Sequence, residues 1–359
     1  MLKNIHIQNY RGIKDLKIND FKRINLLVGD NNSGKTSVLE AVITLTPSLL
    51  NFFDPILLRE NMGVFVSTNP TQPLKRLVNL DKLEDQFYQK NVDCPIKIDA
   101  KFNQQKLSVR ASLISDYTTF EQTLSNNVEA RKLSEKNSFI MEYSLNGKKV
   151  EKLGLSNNGT GKILGTNSIM RPYFLSEITP GRKQLFDQFT PIVNTNRETE
   201  FVSMMRIFEP TLKNIKQSGG DDVKFDLGNG LLVSISYMGT GFIKFFSTVL
   251  TIYSLCSMDN EKSVVISIDE IGSGLHHSKL KHLWSTVFML LDKYPNLQII
   301  AATQSYDVIK ALGETYRSRQ DNDDLRLFKI KKSAEEISHA LKYDAEMIIY
   351  AIEDETEVR

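Results

Sequence analysis

The stretch Ile24 to Thr36, Ile-Asn-Leu-Leu-Val-Gly-Asp-Asn-Asn-Ser-Gly-Lys-Thr, constrains this chain more than any other. Ile24, Leu26 and Val28 predict a short buried strand. The next eight residues, Gly29, Asp30, Asn31, Asn32, Ser33, Gly34, Lys35 and Thr36, match G-x-x-x-x-G-K-[ST] without a mismatch. Gly29 and Gly34 permit a tight loop whose backbone N–H groups turn inward around a phosphate chain. Val38, Leu39, Ala41, Val42 and Leu45 predict a helix whose N-terminus, with Ser37 in its first turn, adds partial positive charge at the same spot. In such a loop Lys35 reaches the β- and γ-phosphates and the Thr36 hydroxyl binds Mg²⁺. Chance would produce the bare pattern in roughly 1–2% of chains this long. The strand before it and the helix after it make the chance reading rarer still, so a nucleotide, ATP with Mg²⁺, is the expected ligand.

At 359 residues the chain can hold two average domains or one large α/β domain with insertions. Its 41% hydrophobic and 25% charged content is that of a soluble globular protein. A formal net charge of +2 supplies no global drive toward DNA or an anionic membrane. Cys94 and Cys256 are isolated and lack metal-ligand spacing, so both are expected to be small buried hydrophobes in a reduced cytoplasm. The N-terminal residues show no signal-type apolar segment. The stretch Phe242 to Cys256 is interrupted by Lys244, Ser247, Thr248 and Thr251 and is too short to span a bilayer, so no membrane partner is expected.

Leu2 to Ile18 reads as two strands around a turn at Arg11-Gly12. Pro55, Pro70 and Pro73 break any long element between Asn51 and Leu80. A strand-rich block follows from about 95 to 155, where Ile96, Ile98, Ala100 and Phe102 alternate, as do Leu107, Val109, Ala111 and Leu113. Asn146-Gly147 marks a hairpin between Phe139–Leu145 and Lys148–Leu153. Ser115–Asn137 is polar, and Asn157–Gly165 reads as a surface loop. Helices are predicted at Arg182–Phe189, Arg197–Phe208, Gly241–Met258 and Ser278–Leu291, with a hairpin around Gly228-Asn229-Gly230. The apolar strands Val264–Ile268 and Leu297–Ala302 separated by helices argue for a mostly parallel sheet.

Two further motifs carry chemistry. The strand Val264–Ile268 ends in Asp269-Glu270, where Asp269 can hold Mg²⁺ through water and Glu270 can position or deprotonate an attacking water. A buried strand ending at a solvated acidic turn would look the same, but here it follows a complete phosphate loop. Gly239, Thr240 and Gly241 open a helix and make a second anion-binding corner. One nucleotide does not need two such corners from one chain; the second makes sense if it closes over a phosphate held by a partner subunit. His276, His277 and His282 lack an acidic or cysteine cluster and are read as turn residues. The basic residues Arg326, Lys329, Lys331 and Lys332 are read as a solvated strand edge rather than a nucleic-acid patch.

Together, Ile5-His6-Ile7-Gln8-Asn9-Tyr10-Arg11-Gly12, the phosphate loop, Met238-Gly239-Thr240-Gly241, Asp269-Glu270-Ile271-Gly272-Ser273-Gly274-Leu275-His276 and Ala302-Thr303-Gln304-Ser305 resemble the ABC-type head of the RecF, SMC and OLD-like ATPases. The resemblance covers essentially the whole chain. It implies an α/β P-loop NTPase fold of the ABC type, with a mostly parallel core sheet and an antiparallel β layer. Residues 1–359 then form one head, with a nucleotide-binding core and helical lobe in 1–50 and 165–359 and the antiparallel layer in 95–155. It also implies that Arg11 joins the nucleotide-binding set, that Gly239 to Gly241 act in trans, and that Ser273 to His276 cross a homodimer of nucleotide-sandwiched heads. Where the family commonly has Thr-His-Ser, this chain has Gln304, a neutral amide that can hydrogen-bond phosphate or water but cannot carry a proton. The family's Q-loop residue stays open among Gln72, Gln86, Gln89, Gln104 and Gln105.

The implied function is an ATPase switch, the ATPase subunit of a prokaryotic phage-defence-type assembly with a separately encoded effector such as a nuclease. The alternatives are a nucleotide-gated scaffold with little hydrolysis and a RecF-like DNA-repair ATPase. The stretch after Gln304 is expected to hold one strand pair, Leu325–Ile330 and Ile337–Tyr343, and a helix at Ala345–Ile352, which leaves no room for a fused nuclease domain.

Overall fold

The computed structural model describes residues 1–46, 84–114, 138–155, 170–175, 180–257, 263–319, 323–333 and 336–354. Three sheets organise them. The first is antiparallel and made of β1 (Leu2–Tyr10), β2 (Ile13–Asn19), β4 (Ile96–Phe102), β5 (Gln105–Ile114), β6 (Ser138–Leu145) and β7 (Lys148–Leu155), in the order β2-β1-β4-β5-β6-β7. The second is the core sheet, built from β3 (Ile24–Val28), β8 (Met170–Leu175), β12 (Ser263–Ile268), β13 (Leu297–Ala302), β14 (Leu325–Lys332) and β15 (Ser338–Tyr343). Its order is β15-β14-β3-β13-β12-β8, every pairing being parallel except β14 with β15. The third is a small meander of β9 (Asn214–Ser218), β10 (Asp222–Asp226) and β11 (Leu232–Ser234).

The antiparallel layer therefore takes in the two N-terminal strands, which register with Ile96–Phe102 through pairs such as Ile7 and Ile98. Helix α1 (Lys35–Thr44) lies between this layer and one face of the core sheet, where Val38, Leu39 and Val42 meet Ile5, Ile7, Leu27, Val265 and Ile300. The opposite face of the core sheet, Ile24, Leu26, Ile266 and Ile299, packs against the helical side. That side holds α2 (Arg182–Asn194), α3 (Glu198–Met205), α4 (Thr240–Ser257), α5 (His277–Lys293), α6 (Tyr306–Tyr316) and α7 (Ala345–Glu353). Both faces of β3, β12 and β13 are thus buried, which is why these strands read as unbroken apolar runs rather than alternating ones. Phe201, Met204, Met205 and Phe208 all pack into the helical core, as their spacing predicts.

Two buried amides stitch the layers. Asn25, fully buried in β3, accepts the Lys22 N–H at 2.7 Å and donates to the carbonyls of Lys22 and Ile299. Gln298, fully buried in β13, accepts the Leu2 N–H at 2.7 Å and donates to the carbonyls of Leu2 (2.9 Å) and Lys22 (2.7 Å). Gln298→Leu keeps the side chain's bulk but strands buried backbone groups. Each such group costs about 1–3 kcal/mol, so chemical unfolding should show a stability loss in that range or above. Wild-type stability would mean the two layers do not depend on this amide.

Several expectations need correction. Cys94 is exposed, because it lies in the turn between Asn91 and Pro95 that leads into β4; Cys256 is buried, and burial pushes its thiol up to about 12. The apolar stretch at Phe242–Cys256 belongs to the 18-residue helix α4, which is long and apolar enough to cross a bilayer, yet 72% of it is buried inside the protein. Its apolarity is that of a central core helix. Arg326 is not a solvated edge residue: it is buried and binds Asp20 at 2.9 Å and Asp323 at 2.5 Å. Burial alone would raise the Asp20 pKa, but hydrogen bonds from Arg326, Lys342 and Lys22 hold it at about 2. Strands β8 and β9 and helix α6 were not expected. The stretches at 51–80, 115–137 and 157–165 lie outside the described residues.

Candidate functional site

The parallel core brings three strand ends side by side. β13 lies between β3 and β12, with Ala302 opposite Leu27 and Ile268 opposite Ala301. The carboxyl ends of these strands therefore deliver the phosphate loop, Asp269-Glu270 and Thr303-Gln304 to one edge, where ligands of open α/β sheets bind. Backbone hydrogen bonds lock the three ends to one another and to the end of β8: Ile271 N–H to Ala302 O at 2.9 Å, Thr303 N–H to Leu27 O at 3.1 Å, and Asp269 N–H to Leu175 O at 2.8 Å.

The loop after β3 requires glycine at both ends. Gly29 has φ +141°, and a Cβ there would meet the Ile330 carbonyl oxygen at 2.4 Å. Gly34 precedes α1 with φ +104°, and a Cβ there would press on the Ile13 side chain at 3.1 Å. Ser33 is buried, and its Oγ has no hydrogen-bond partner among the described residues. Lys35 is also buried, its Nζ donating to the carbonyls of Gly29 (2.8 Å) and Asp30 (2.9 Å) at the loop mouth. Burial pushes the Lys35 ammonium below the usual lysine range, while Glu270, Asp269 and Asp30 pull it partly back. Asp30, Asn31 and Asn32 are exposed on the rim.

Thr36, in the first turn of α1, meets the acid at the end of β12. Its Oγ1 donates to both carboxylate oxygens of Asp269, at 3.2 and 3.1 Å. A hydroxyl and a carboxylate converging beside a phosphate-type loop are the hard oxygen donors that suit Mg²⁺. The glycine cradle, the unpaired Ser33 hydroxyl and the buried lysine likewise fit a triphosphate.

Next to this pair, Glu270 is held with φ +47°, a left-handed conformation that a non-glycine residue adopts at a cost of about 1–2 kcal/mol. Gln304 Nε2 donates to Glu270 Oε1 at 2.8 Å. The two side chains share an open cleft of about 540 Å³ with Gly272–Leu275, Thr303 and Ser305. The amide thereby anchors one carboxylate oxygen of Glu270 at the cleft.

Arg11 lies close by but is directed elsewhere. Its Nη1 pairs at 2.9 Å with Oε2 of Glu40, a carboxylate buried on α1, and its backbone N–H donates to Gln86 O. Gly12 faces Ser37, whose Oγ is 3.9 Å from where a Cβ would stand. Of the glutamines left open by the sequence, Gln86 is thus the one beside this turn; its side chain is buried, and Oε1 has no partner among the described residues. Gln72 lies outside the described residues, and Gln89 is an exposed residue bonded to Glu336.

The second glycine corner stands apart from the first. Gly241 packs against the Gly274 carbonyl and Leu275, so it abuts the far wall of the cleft. Among the described residues no hydrogen bond or ion pair joins Gly239, Thr240 or Gly241 to the Gly29–Thr36 loop. His276 caps α5, its Nδ1 accepting from Ser278 N–H. The residue that sequence reasoning missed is Glu40, whereas Gln86 is one of the five glutamines it leaves open.

Comparison with known proteins finds the following similarities. The family profile described as an AAA ATPase domain matches residues 1–179. Over 383 aligned residues, covering 99% of both chains, the protein is 24% identical to an ATP/GTP phosphatase of Helicobacter pylori. It is 22% identical to the DNA replication and repair protein RecF of Staphylococcus haemolyticus, over 80% of this chain and 90% of that one. An SMC head domain from Thermotoga maritima aligns over 95% of this chain and 98% of its own, at 11% identity and a TM-score of 0.44.

Proposed function

Because the chain is an ABC-type ATPase head of the SMC/RecF-like superfamily, we propose that it binds Mg²⁺–ATP at the Gly29–Thr36 loop, hydrolyses it slowly, and uses closure against a second copy as a switch. The observation that carries this reading is the meeting of the Thr36 hydroxyl with the Asp269 carboxylate beside the Glu270–Gln304 pair.

In this reading the loop N–H groups, Ser33 and Lys35 bind the triphosphate, with Arg11 and Ser37 at its edge. Thr36 and Asp269 would hold Mg²⁺, which supplies charge neutralisation on the phosphate oxygens. Glu270 takes a proton from the attacking water, and Gln304 orients Glu270 and the water. Little covalent chemistry is asked of the protein; positioning and charge stabilisation do most of it. Gln86 is assigned to the Q-loop role through its place beside Arg11. Gly239, Thr240 and Gly241 act on the nucleotide held by the partner, in keeping with a superfamily whose heads generally dimerise and bind DNA. The phosphatase name of the Helicobacter pylori relative supports hydrolysis of a nucleoside triphosphate.

By resemblance, the switch serves a cytoplasmic phage-defence-type assembly with a separately encoded effector. Gln304 favours a second reading, a nucleotide-gated scaffold with little hydrolysis. Steady-state ATP turnover with and without DNA tests both. Turnover above background supports the ATPase reading, stimulation by DNA shifts it toward RecF-like repair, and tight binding with no turnover leaves the scaffold.

Gln304→Ala should lower kcat while leaving nucleotide affinity nearly unchanged, since the loop and Lys35 carry ground-state binding. Gln304→His, able to share a proton near neutral pH, should raise kcat a few-fold; general acid–base help is worth roughly 10²–10⁴, and Glu270 already supplies part of it. Wild-type turnover in the alanine variant would reduce Gln304 to a polar cap on a strand.

A further inference from the structure

An ion pair between two largely buried side chains is weak evidence of stability, because losing water costs about as much as the attraction returns. Arg11 and Glu40 form such a pair: the Glu40 side chain is 2% exposed and the Arg11 side chain 18%, with Nη1 2.9 Å from Oε2. Its two halves come from different layers. Arg11 sits on the turn between β1 and β2, and Glu40 on α1, the helix that follows the phosphate loop.

The turn is strained and firmly held. Asn9 and Arg11 have φ of +53° and +49°, a left-handed conformation that non-glycine residues keep only where their surroundings enforce it. Asn9 Nδ2 donates to the carbonyls of Asn91 (3.0 Å) and Cys94 (2.6 Å). Tyr10 is fully buried and bridges to Phe87, and Arg11 N–H donates to Gln86 O at 2.9 Å. The backbone under Arg11 is therefore fixed. Its guanidinium, 5.4 Å from the centre of the Tyr10 ring, ends a flexible stem and keeps some contact with solvent.

The course of the turn along α1 says what that guanidinium can reach. Gly12 faces Ser37, the residue after Thr36, and Arg11 faces Glu40. Ser37 and Glu40 are three apart and share one side of the helix, with a rise of about 4.5 Å between them. The guanidinium thus lies about one helical turn behind the phosphate loop, a short step for an arginine side chain. A triphosphate on the loop offers it several anionic oxygens in place of one carboxylate, and the planar fork of a guanidinium suits them.

We propose that Glu40 is a positioning residue that competes with the triphosphate for Arg11, so that nucleotide binding draws the guanidinium from the carboxylate onto the phosphates. The inference rests on the loop reading above and adds a brake on its affinity. The brake is reciprocal. Whatever factor Glu40 takes from nucleotide affinity, the nucleotide takes from the Arg11–Glu40 pair. One hydrogen bond between charged groups is worth about tenfold, which sets the scale.

The test measures affinity for the non-hydrolysable β,γ-imido analogue of ATP with Mg²⁺, at concentrations where the protein is monomeric, together with a thermal melt. Glu40→Gln keeps the shape of the side chain and removes its charge. The expected result is binding about tenfold tighter than wild type; a merely structural pair gives the same affinity or a weaker one. Adding Arg11→Ala to Glu40→Gln should abolish the gain. A gain that persists without Arg11 means that the Glu40 charge acts on the nucleotide directly, and overturns the exchange. Wild-type or weaker affinity in a folded Glu40→Gln protein overturns it too. If Glu40→Gln does not fold, a structure of the wild-type protein with the analogue decides: Arg11 is expected beyond hydrogen-bond distance of Glu40, and an intact pair overturns the proposal. Lys35→Ala with unchanged affinity would overturn the loop reading and the exchange with it.

Discussion

Glu270→Gln protein binds Mg²⁺–ATP with wild-type affinity, turns it over about 10²–10⁴-fold more slowly, and accumulates as an ATP-dependent dimer. The substitution leaves the shape of the side chain and its contact with Gln304 nearly intact, since the amide oxygen can still accept from Gln304 Nε2. What is lost is the ability to take a proton from water. Binding is expected to be unaffected because the contacts assigned to the triphosphate are made by the loop and Lys35, and not by the Glu270 carboxylate. A dimer builds up because hydrolysis no longer reopens it. Single-turnover kinetics and chromatography with Mg²⁺–ATP check both halves. Persisting turnover with an unchanged monomer–dimer ratio would remove Glu270 from the role of base.

Lys35→Ala loses nucleotide binding while the fold survives. A charged donor to a phosphate oxygen contributes about 1.5–3 kcal/mol. Two such contacts, to the β- and γ-phosphates, together amount to a loss of about 10²–10⁴ in affinity. The fold tolerates the change because, among the described residues, the hydrogen bonds of Lys35 Nζ go to the Gly29 and Asp30 carbonyls at the mouth of the loop, and not into the core. Titration with a nucleotide analogue and a thermal melt on the same sample separate the two effects. Unchanged affinity would sink the assignment of the loop, and a collapsed melt would make Lys35 a structural residue.

The contiguous features were legible from the amino-acid order. A phosphate loop is one unbroken run whose glycines, lysine and threonine meet because they are neighbours. Strands β3, β12 and β13 announce themselves as apolar runs because both of their faces are covered. Strand β8 escaped because Pro172 interrupts it; it survives at the edge of the core sheet, where only β12 pairs with it and a missing N–H is tolerated. Helix α6 escaped because Gly313 lowers its helical signal. A Cβ there would stand 2.4 Å from Cδ1 of Ile352 on α7, so a larger residue would make the end of that side chain shift. The polar strand β9 has one buried apolar residue, Ile215, and is set by its pairing with β10.

The site was legible in its parts and not in its pairings. Glu40 reads as an ordinary exposed helix residue, and only the arrival of Arg11 from a separate strand turn accounts for its burial. Gln86 and Arg11 are 75 residues apart in the chain and meet through a backbone hydrogen bond. The contact between Gln304 and Glu270 depends on β12 and β13 being neighbours, which periodicity cannot reveal. Cys94 and Arg326 were misplaced for a related reason, since general burial tendencies of a residue type yield to the turn or ion pair in which it sits.

The most direct test of the central claim is a structure of the Glu270→Gln protein determined with Mg²⁺–ATP. The expected result is a two-fold dimer in which each triphosphate lies on Gly29–Thr36 of one copy, with the metal at Thr36 and Asp269 and the partner's Gly239–Gly241 corner closing over the γ-phosphate. A nucleotide bound elsewhere, or on this loop in a protein that remains monomeric, would contradict it.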